Sequence, residues 1–369
     1  MGAREFPGNV RTVEMVIEPG QFSEFDGHEK LVRVRDSGVG LCGFVAIHST
    51  ALGPAMGGTR YASYPHSNDA IYDALRLSRG MSYKCALAGL PYGGGKGVLM
   101  ATPEGERSES RAVLLGSYAV SLSQIGVDFY TGEDVGLDKR DVETLEAYSD
   151  HIVGRPSVGG MPAPWAAQGV FVAIKAALRE RFGSDSLDGR TVAIKGLGAV
   201  GIVLCDLLSK SGAKLVGADV DGHKLKQFRS QFPKAIVATV DDIHAFPCDV
   251  FSPCALRSSI DETTVDQLDC KIVCGAENNQ LASDELGARL HARDILYVPD
   301  FVANAGGLIT VADELERGGY SQQRVETRVD AIGETVRQIV ELSRERDRPT
   351  NGVAVEIAKR RIGDASIRE

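Results

Sequence analysis

From about residue 166 onward the chain alternates helix-type and strand-type patterns, and this alternation limits the possible folds more than any other feature. Gln168 to Phe182 reads as an amphipathic helix, with Val170, Ile174, Ala177 and Leu178 at helical spacing. TVAIKG (191–196) is a short buried strand. Ala199 to Ser211 is a helix carrying Val200, Val203, Leu204, Leu207 and Leu208 on one stripe and ended by Gly212. KLVGADV is the next strand, and AIVAT (235–239), DVFSP (249–253), KIVCG (271–275) and ILYVP (295–299) follow at intervals. Strands separated by helices pair in parallel, because only a crossover connection returns the chain in the same direction. A doubly wound parallel sheet is therefore predicted.

Within this region GLGAVG (Gly196, Leu197, Gly198, Ala199, Val200, Gly201) fits G-x-G-x-x-G. Alone the triplet is weak, since a glycine-rich chain produces it by chance. Here it follows a strand, opens a helix, and precedes Asp219, 23 residues beyond Gly196, at the end of the next strand. Gly196 permits the tight turn, Gly198 lets a pyrophosphate reach the backbone, and Gly201 lets helix and strand pack closely. The helix N-terminus at Ala199, Val200 and Gly201 offers unpaired N–H groups to phosphate. Asp219 would accept from both ribose hydroxyls and repel a 2′-phosphate, which favours NAD over NADP. The competing reading is a purely structural strand–turn–helix.

Before this region the pattern differs. The first 20 residues show no clear periodicity and are read as a loose arm or an edge strand. KLVRVRD, a Ser-Gly-Val-Gly break and LCGFVAIHS read as a hairpin. A helix is predicted after Ser67, with Ile71, Ala74, Leu75 and Ser78 on one face, and further helices over about 108–125 and 138–148. The polar stretch 149–166, with its prolines and glycines, reads as a hinge. The last 40 residues are read as helical, with Ile332, Val336, Ile339, Val340 and Leu342 supplying the apolar face. The predicted fold is thus α/β with two domains. Residues 1–149 form an N-terminal α/β substrate-binding and catalytic domain, onto which a C-terminal helix (331–369) packs back. Residues 150–330 form a doubly wound, Rossmann-type dinucleotide-binding domain. The active site is expected in the cleft, with closure about the hinge excluding water.

The chain holds 42 glycines, against roughly 26 at ordinary usage of ~7%, and the excess is clustered. SYKCALAGLPYGGGKG places Lys84 and Lys96 twelve residues apart. Three glycines before a lysine remove side chains that would keep a small substrate from the backbone, although a flexible turn with a solvated lysine fits GGGK alone equally well. GPAMGGTR (53–60) and TGEDVG (131–136) add a glycine pair and an acidic residue, Asp134. One lysine near another lowers the pKa of at least one, and a neutral lysine can act as a general base. A site that needs a carboxylate anchor, a tunable base and a proton relay would use these residue types.

In order along the chain, GHEKLV, HSTALGPAMGGTR, RGMSYK, GGGKG, TGEDVG, GLGAVG, FSPCAL, NNQ and PDFVANAGG resemble the amino acid dehydrogenases related to leucine, valine, phenylalanine and tryptophan dehydrogenase. The resemblance runs from His28 to about Ala365. It implies that Lys84 holds the substrate α-carboxylate. It implies that Lys96 activates water for attack on the α-imino carbon and stabilises the carbinolamine, and that Asp134 shuttles a proton to and from the substrate nitrogen. By the same resemblance Gly57 and Gly58 give backbone contacts to substrate, and Asn278 and Asn304 position nicotinamide and amino group. Cys254 and Ala255 of FSPCAL would border the cofactor. Met56, Gly132, Leu308 and Val311 would line the side-chain pocket, whose apolar character rejects acidic substrates. Gly132 leaves room that alanine would fill, and Met56 can repack around a ring, so an aromatic substrate, Trp or Phe, is favoured over Leu or Val. The implied assembly is a homo-oligomer.

At three places the chain departs from that family's pattern. Ala166 stands where a hydroxyl is expected, Arg257 and Ser258 replace a glycine pair, and Glu277 replaces a small residue. An Arg257–Glu277 ion pair would compensate the last two; drift at a solvated edge is the alternative, and altered cofactor geometry or a specialised biosynthetic substrate a third. From another class, a catalytically silent protein that senses NAD and an amino acid would also tolerate the departures, but retention of Lys84, Lys96 and Asp134 together opposes it. The net charge of −9 opposes nucleic-acid binding, and no run reaches the ~20 apolar residues of a membrane span. The N-terminus lacks the apolar core of a secretory signal. Seven scattered cysteines fit reduced thiols in the cytoplasm. Cys248 with Cys254, and Cys270 with Cys274, lack metal-site spacing and histidine, so no metal is expected. His48 reads as a strand-end residue beside the core, with no sequence partner.

Overall fold

The computed structural model describes residues 12–15, 19–102, 108–155, 158–159, 161–256 and 258–367. They divide into two compact units. The first comprises Met1–Gly160, Val311–Tyr320 and Ala358–Glu369; the second comprises Met161–Thr310 and Ser321–Ile357.

The first unit is built on a mixed seven-stranded sheet of β1 (Thr12–Met15), β2 (Lys30–Asp36), β3 (Leu41–Ser49), β4 (Ala55–Met56), β5 (Thr59–Ala62), β6 (Gly93–Met100) and β7 (Phe129–Tyr130). The order is β1-β2-β3-β6-β4-β7, with β5 also paired to β6. β1 is the expected edge strand, antiparallel to β2. The hairpin closes in register from Lys30 opposite Ile47 to Asp36 opposite Leu41. β3 is buried on both faces. Val45 and Ile47 join a cluster with Leu115, Tyr118 and Phe129, while Phe44 and Ala46 join Ile71, Ala74 and Leu75 on the other side. The second group lies on α1 (Ser67–Leu87), whose buried face includes all four residues named from periodicity. Leu115 and Tyr118 lie on α2 (Ser108–Leu122), which packs on α3 (Lys139–Glu146). Asp138 caps α3, accepting from the N–H groups of Arg140 and Asp141 at 2.8 and 3.0 Å, while Asp141 reaches back to the Asp138 N–H.

The second unit carries six parallel strands in the order β10-β9-β8-β11-β12-β13. These are β8 (Thr191–Lys195), β9 (Lys214–Ala218), β10 (Ile236–Val237), β11 (Val250–Pro253), β12 (Ile272–Val273) and β13 (Leu296–Tyr297). Counted from β8 the order is 3-2-1-4-5-6, the doubly wound arrangement in which the strand order reverses between the first and fourth strands. Each of the six predicted strand segments supplies one. The helices are α4 (Pro162–Phe182), α5 (Ala199–Lys210), α6 (Gly222–Gln231), α7 (Thr264–Gln267), α8 (Glu285–Ala292), α9 (Asp300–Ala303), α10 (Gly306–Asp313), α11 (Gln322–Asp330), α12 (Ile332–Arg346) and α13 (Thr350–Ser366).

Three differences from the sequence reading have local causes. The helix expected from Gln168 begins at Pro162, because a proline at the first helical position gives up no hydrogen bond; the segment read as hinge is shorter by that much. In α12 the buried stripe ends on Ser343, whose hydroxyl donates to the Arg348 carbonyl at 2.5 Å, rather than on Leu342. The division of the chain also falls elsewhere than at 149/150 and 331. Residues 321–357 belong to the second unit, where α12 lies against α4, and only the chain from Ala358 joins the first. There Arg361 donates to the Ala86 carbonyl at 2.9 Å and Lys359 pairs with Asp26 at 3.0 Å. Among the described residues no helix is long and apolar enough to cross a membrane.

Candidate functional site

In the first unit the lysine predicted as base and the acid predicted as relay come together. Lys96 lies mid-way along β6, opposite Ala46 of β3, and is 6% exposed. Its ammonium forms an ion pair with Asp134, which follows β7. Burial pushes the Asp134 carboxyl up, but Lys96 and then Arg60 outweigh it and hold the group below its ordinary value. Its other oxygen accepts the Val135 N–H at 2.6 Å and lies 4.0 Å from the Arg60 guanidinium. Arg60 was not singled out from sequence, although it ends GPAMGGTR. It is fixed by Asp73 at 2.7 Å, an acid that also accepts the Tyr64 hydroxyl at 2.7 Å. Lys84 stands half-buried in the last turn of α1, and α1 packs against β6.

The glycines around this pair have a different use from the one predicted. A Cβ on Gly94 would strike the backbone of Ser82, one on Gly93 the Ser49 carbonyl, and one on Gly95 the Phe129 ring at 2.6 Å. The triplet therefore lets α1, β3 and β7 close onto β6; it does not leave backbone open to a ligand. Gly57 faces the Gly95 carbonyl, and Gly58 lies where a Cβ would stand 2.9 Å from that of Asp134. At Gly132 a methyl would meet the Val153 carbonyl, so the missing side chain is filled by backbone and adds no room to a pocket. Met56 is fully buried, and Val311 is half-buried beside Gly154. Leu308, on α10, belongs to the second unit and is half-buried.

The turn of the second unit matches its predicted mechanics. Gly196 has φ +101°, a conformation L side chains rarely adopt, and sits against Cys254 and Ala255. Gly201 faces the Gly196 carbonyl, while a Cβ on Gly198, the N-cap of α5, would meet open space. The first turn, Ala199 to Gly201, thus has orphan N–H groups beside an uncrowded residue, which fits a pyrophosphate. Asp219 accepts the Leu197 N–H at 2.7 Å and the Asp221 N–H at 2.9 Å, with the Lys224 ammonium 3.7 Å away. Each oxygen retains lone pairs for a ribose hydroxyl. Cys254 hydrogen-bonds through its N–H to the Lys195 carbonyl at 2.7 Å, and burial raises its thiol to about 11. Asn304 donates to the Ala276 carbonyl at 3.0 Å and to the Asn278 side chain at 2.8 Å, and its own buried carbonyl oxygen has no partner among the described residues. An unfilled buried acceptor at this point fits an amide or amine donor from a ligand.

The residues that depart from the family pattern can be placed in part. Arg257 lies outside the described residues. Glu277 is bound by Ser259, whose N–H and hydroxyl donate to its two oxygens at 2.8 and 2.6 Å. Ala166 lies on α4, beside Gly307 of α10. His48, at the end of β3, has Ser82 as partner at 2.8 Å, a contact no spacing announced. Among the described residues no cluster of histidine, cysteine and acidic side chains has metal-site geometry.

Comparison with known proteins identifies the lineage. Residues 28–150 match the Glu/Leu/Phe/Val dehydrogenase dimerisation domain, and residues 219–369 match the glutamate/leucine/phenylalanine/valine dehydrogenase model. The chain is 38% identical over 356 residues to leucine dehydrogenase of Bacillus cereus, covering 96% of this chain and 94% of that one. The chain belongs to the glutamate/leucine/phenylalanine/valine dehydrogenase family. It is also 39% identical over 340 residues to L-tryptophan dehydrogenase of Nostoc punctiforme (92% and 94% covered), whose crystal structure superposes with a TM-score of 0.80 at 37% identity over 93% of this chain and 98% of that one. Phenylalanine dehydrogenase of Thermoactinomyces intermedius is 38% identical over 340 residues, 91% of this chain and 92% of that one. The chain is thus an oxidoreductase of the amino acid dehydrogenase type, with chemistry that requires a nicotinamide nucleotide.

Proposed function

We propose that this dehydrogenase uses NAD for the reversible oxidative deamination of an apolar, aromatic L-amino acid, Trp or Phe, to the 2-oxo acid and ammonia. The observation that carries the reading is the Lys96–Asp134 ion pair: a base and a relay acid in contact, the lysine buried and the acid half-buried. Lys84 would hold the substrate carboxylate as a charge-assisted pair, with Gly57 and Gly58 beside it. The nicotinamide, when bound, supplies the hydride acceptor for the substrate α-carbon. Once Asp134 has taken the Lys96 proton, the neutral amine draws a proton from water as the water oxygen adds to the α-imino carbon. The resulting ammonium of Lys96 stabilises the carbinolamine, and Asp134 returns its proton to the departing nitrogen. Asn304 and Asn278 would orient nicotinamide and amino group, and Gly196, Gly198, Ala199, Val200 and Gly201 would hold the pyrophosphate beside Cys254 and Ala255. Asp219 favours NAD by accepting from the ribose hydroxyls and opposing a 2′-phosphate.

Met56, Gly132 and Val311 of the first unit remain proposed for the side-chain pocket. The similarity to L-tryptophan dehydrogenase in sequence and fold supports the aromatic reading. Leu or Val is the second reading, favoured by Gly132, whose missing methyl is occupied by the Val153 carbonyl. The match to a dimerisation domain supports assembly as a homo-oligomer, and seven free cysteines suit the reducing cytoplasm. NADH formation from Trp, Phe, Leu, Val and Glu with the unaltered protein tests this. Turnover on Trp or Phe supports it; turnover confined to Leu or Val replaces the substrate and keeps the chemistry. NADPH formation exceeding NADH formation overturns the cofactor. Stoichiometric binding with no turnover on any substrate would make the protein a sensor.

A further inference from the structure

We propose that Glu277 and Ser259 form a buried brace that positions the nicotinamide end of the dinucleotide site. The inference rests on the reading that NAD occupies the second unit with its nicotinamide against Asn278 and Asn304. Glu277 follows β12 and is 1% exposed; Ser259 follows β11 and is 3% exposed. The carboxylate accepts both donors Ser259 can offer, and the Glu277 N–H donates to the Pro253 carbonyl at 3.0 Å. The ends of two adjacent parallel strands are thereby tied side chain to backbone. A small residue at 277, as the family's pattern has, reaches nothing across this gap.

The brace has something to hold. Ser258 and Asn279 both have left-handed backbones (φ +54° and +55°), which non-glycine residues adopt only when their surroundings impose it. They face each other: the Ser258 N–H donates to the Asn279 carbonyl, and one step on the Ile260 N–H donates to the Gln280 carbonyl, each at 3.0 Å. Glu277 stands between these strained residues and the Asn304 anchor. Its two neighbours, Ala276 through its carbonyl and Asn278 through its side chain, accept both hydrogens that Asn304 donates. With its amide hydrogens engaged, Asn304 has a defined orientation and one free function, the buried carbonyl oxygen. Displacing residue 277 would move both acceptors and with them that oxygen. Burying a carboxylate is costly unless it is hydrogen-bonded; among the described residues no cation bonds Glu277, and the two Ser259 donors offset that cost.

Two ligands separate positioning from mere packing. NADH carries the nicotinamide; ADP-ribose shares the rest of the dinucleotide and lacks it. Binding to the full chain is measured by NADH fluorescence and by calorimetry with ADP-ribose, neither of which needs turnover. Glu277→Ala should weaken NADH by about tenfold, roughly the contribution of one hydrogen bond to affinity, and leave ADP-ribose unchanged. Glu277→Gln should restore most of the loss, because its amide accepts the Ser259 N–H and donates to the hydroxyl. Ser259→Ala, which keeps the backbone donor, should fall between them and carries the test if Glu277→Ala does not fold. Equal weakening of both ligands would make the pair structural and overturn the proposal, as would unchanged NADH binding in Glu277→Ala and Ser259→Ala. If the unaltered protein binds neither ligand, the dinucleotide reading itself fails and takes the brace with it.

Discussion

Two glycine tracts, one in each unit, look alike in sequence and do opposite work. In β6 the space beside Gly93, Gly94 and Gly95 is filled by the protein itself, from the Ser49 carbonyl to the Phe129 ring. In the turn after β8, Gly196 and Gly201 are similarly packed, but the space beside Gly198 is open. A missing side chain is an invitation to a ligand only where nothing else has taken the room. The first unit therefore presents charge, through Lys96 and Asp134, while the second presents backbone N–H groups and one unfilled amide oxygen.

The comparison is tested most sharply at the charge. Lys96→Ala should reduce turnover by about 10²–10⁴-fold, the usual worth of a positioned acid–base group, with NADH affinity unchanged because the nucleotide site is in the other unit. A parallel fall in NADH affinity would show the two functions are not divided this way.

Glycine replacement tests the contrast itself. Gly94→Ala drives a methyl into the Ser82 backbone, which cannot swing aside, and should cost about 3 kcal/mol or more in a denaturant titration. Gly198→Ala should cost about 1 kcal/mol or less, yet weaken NADH by about tenfold or more by crowding the pyrophosphate. A stable Gly94→Ala protein, or a Gly198→Ala protein with full NADH affinity, would break the comparison.

The units should also part company in acid. Burial, and after it the neighbouring His28, lowers the His48 imidazole to about 4. His28 is itself lowered by burial, with its Nε2 2.9 Å from the Leu75 carbonyl and 3.1 Å from the Ser78 hydroxyl. Asp26, Glu24, Arg79 and Lys359 are the charged groups that act on the pair. Both rings are neutral when folded, whereas unfolded histidine takes a proton near 6.5. The unfolded state binds more protons between about 6.5 and 4, so stability falls as pH drops through that window, by an amount on the order of 2–3 kcal/mol. Hydrogen exchange should show β3 and α1 opening before the strands of the parallel sheet, and His48→Gln should flatten the dependence. Uniform loosening of both units would assign the acid sensitivity elsewhere.

What could be read from sequence divides along the same line. The parallel sheet was legible because each short apolar run ends at a turn and is followed by a helix, and the dinucleotide turn because its glycines have fixed spacing. Lys96 and Asp134 were legible as chemistry from the resemblance, but their pairing spans 38 residues and exists only through β6 and β7. Long-range partners left no local trace: Ser82 for His48, Ser259 for Glu277, Asp73 for Arg60. Glycine function was the least legible, since what fills the space beside a glycine comes from elsewhere in the chain.

The smallest effect concerns the two sides of one carboxylate. Asp134 faces Lys96 through one oxygen and Arg60 through the other, and the second contact, at 4.0 Å, is the weaker. Arg60 is held by Asp73, which also accepts the Tyr64 hydroxyl, so it is a fixed charge that takes no part in proton exchange. Glu133, exposed at the surface, is a neighbouring acid; partial desolvation raises it and Lys139 lowers it. Removing the Arg60 cation raises the Asp134 pKa, because the neutral form gains relative to the charged one. If Asp134 must be ionised to receive the lysine proton, activity is lost as pH falls through its pKa, and Arg60→Gln should move the acidic limb of the kcat/KM profile to higher pH. The loss at the optimum should be less than about tenfold, far below that of Lys96→Ala, and Arg60→Lys should return the limb part of the way. A Gln variant whose profile keeps its shape while the whole curve drops would mean that Arg60 holds β5 in place and leaves the proton on Asp134 to Lys96 alone.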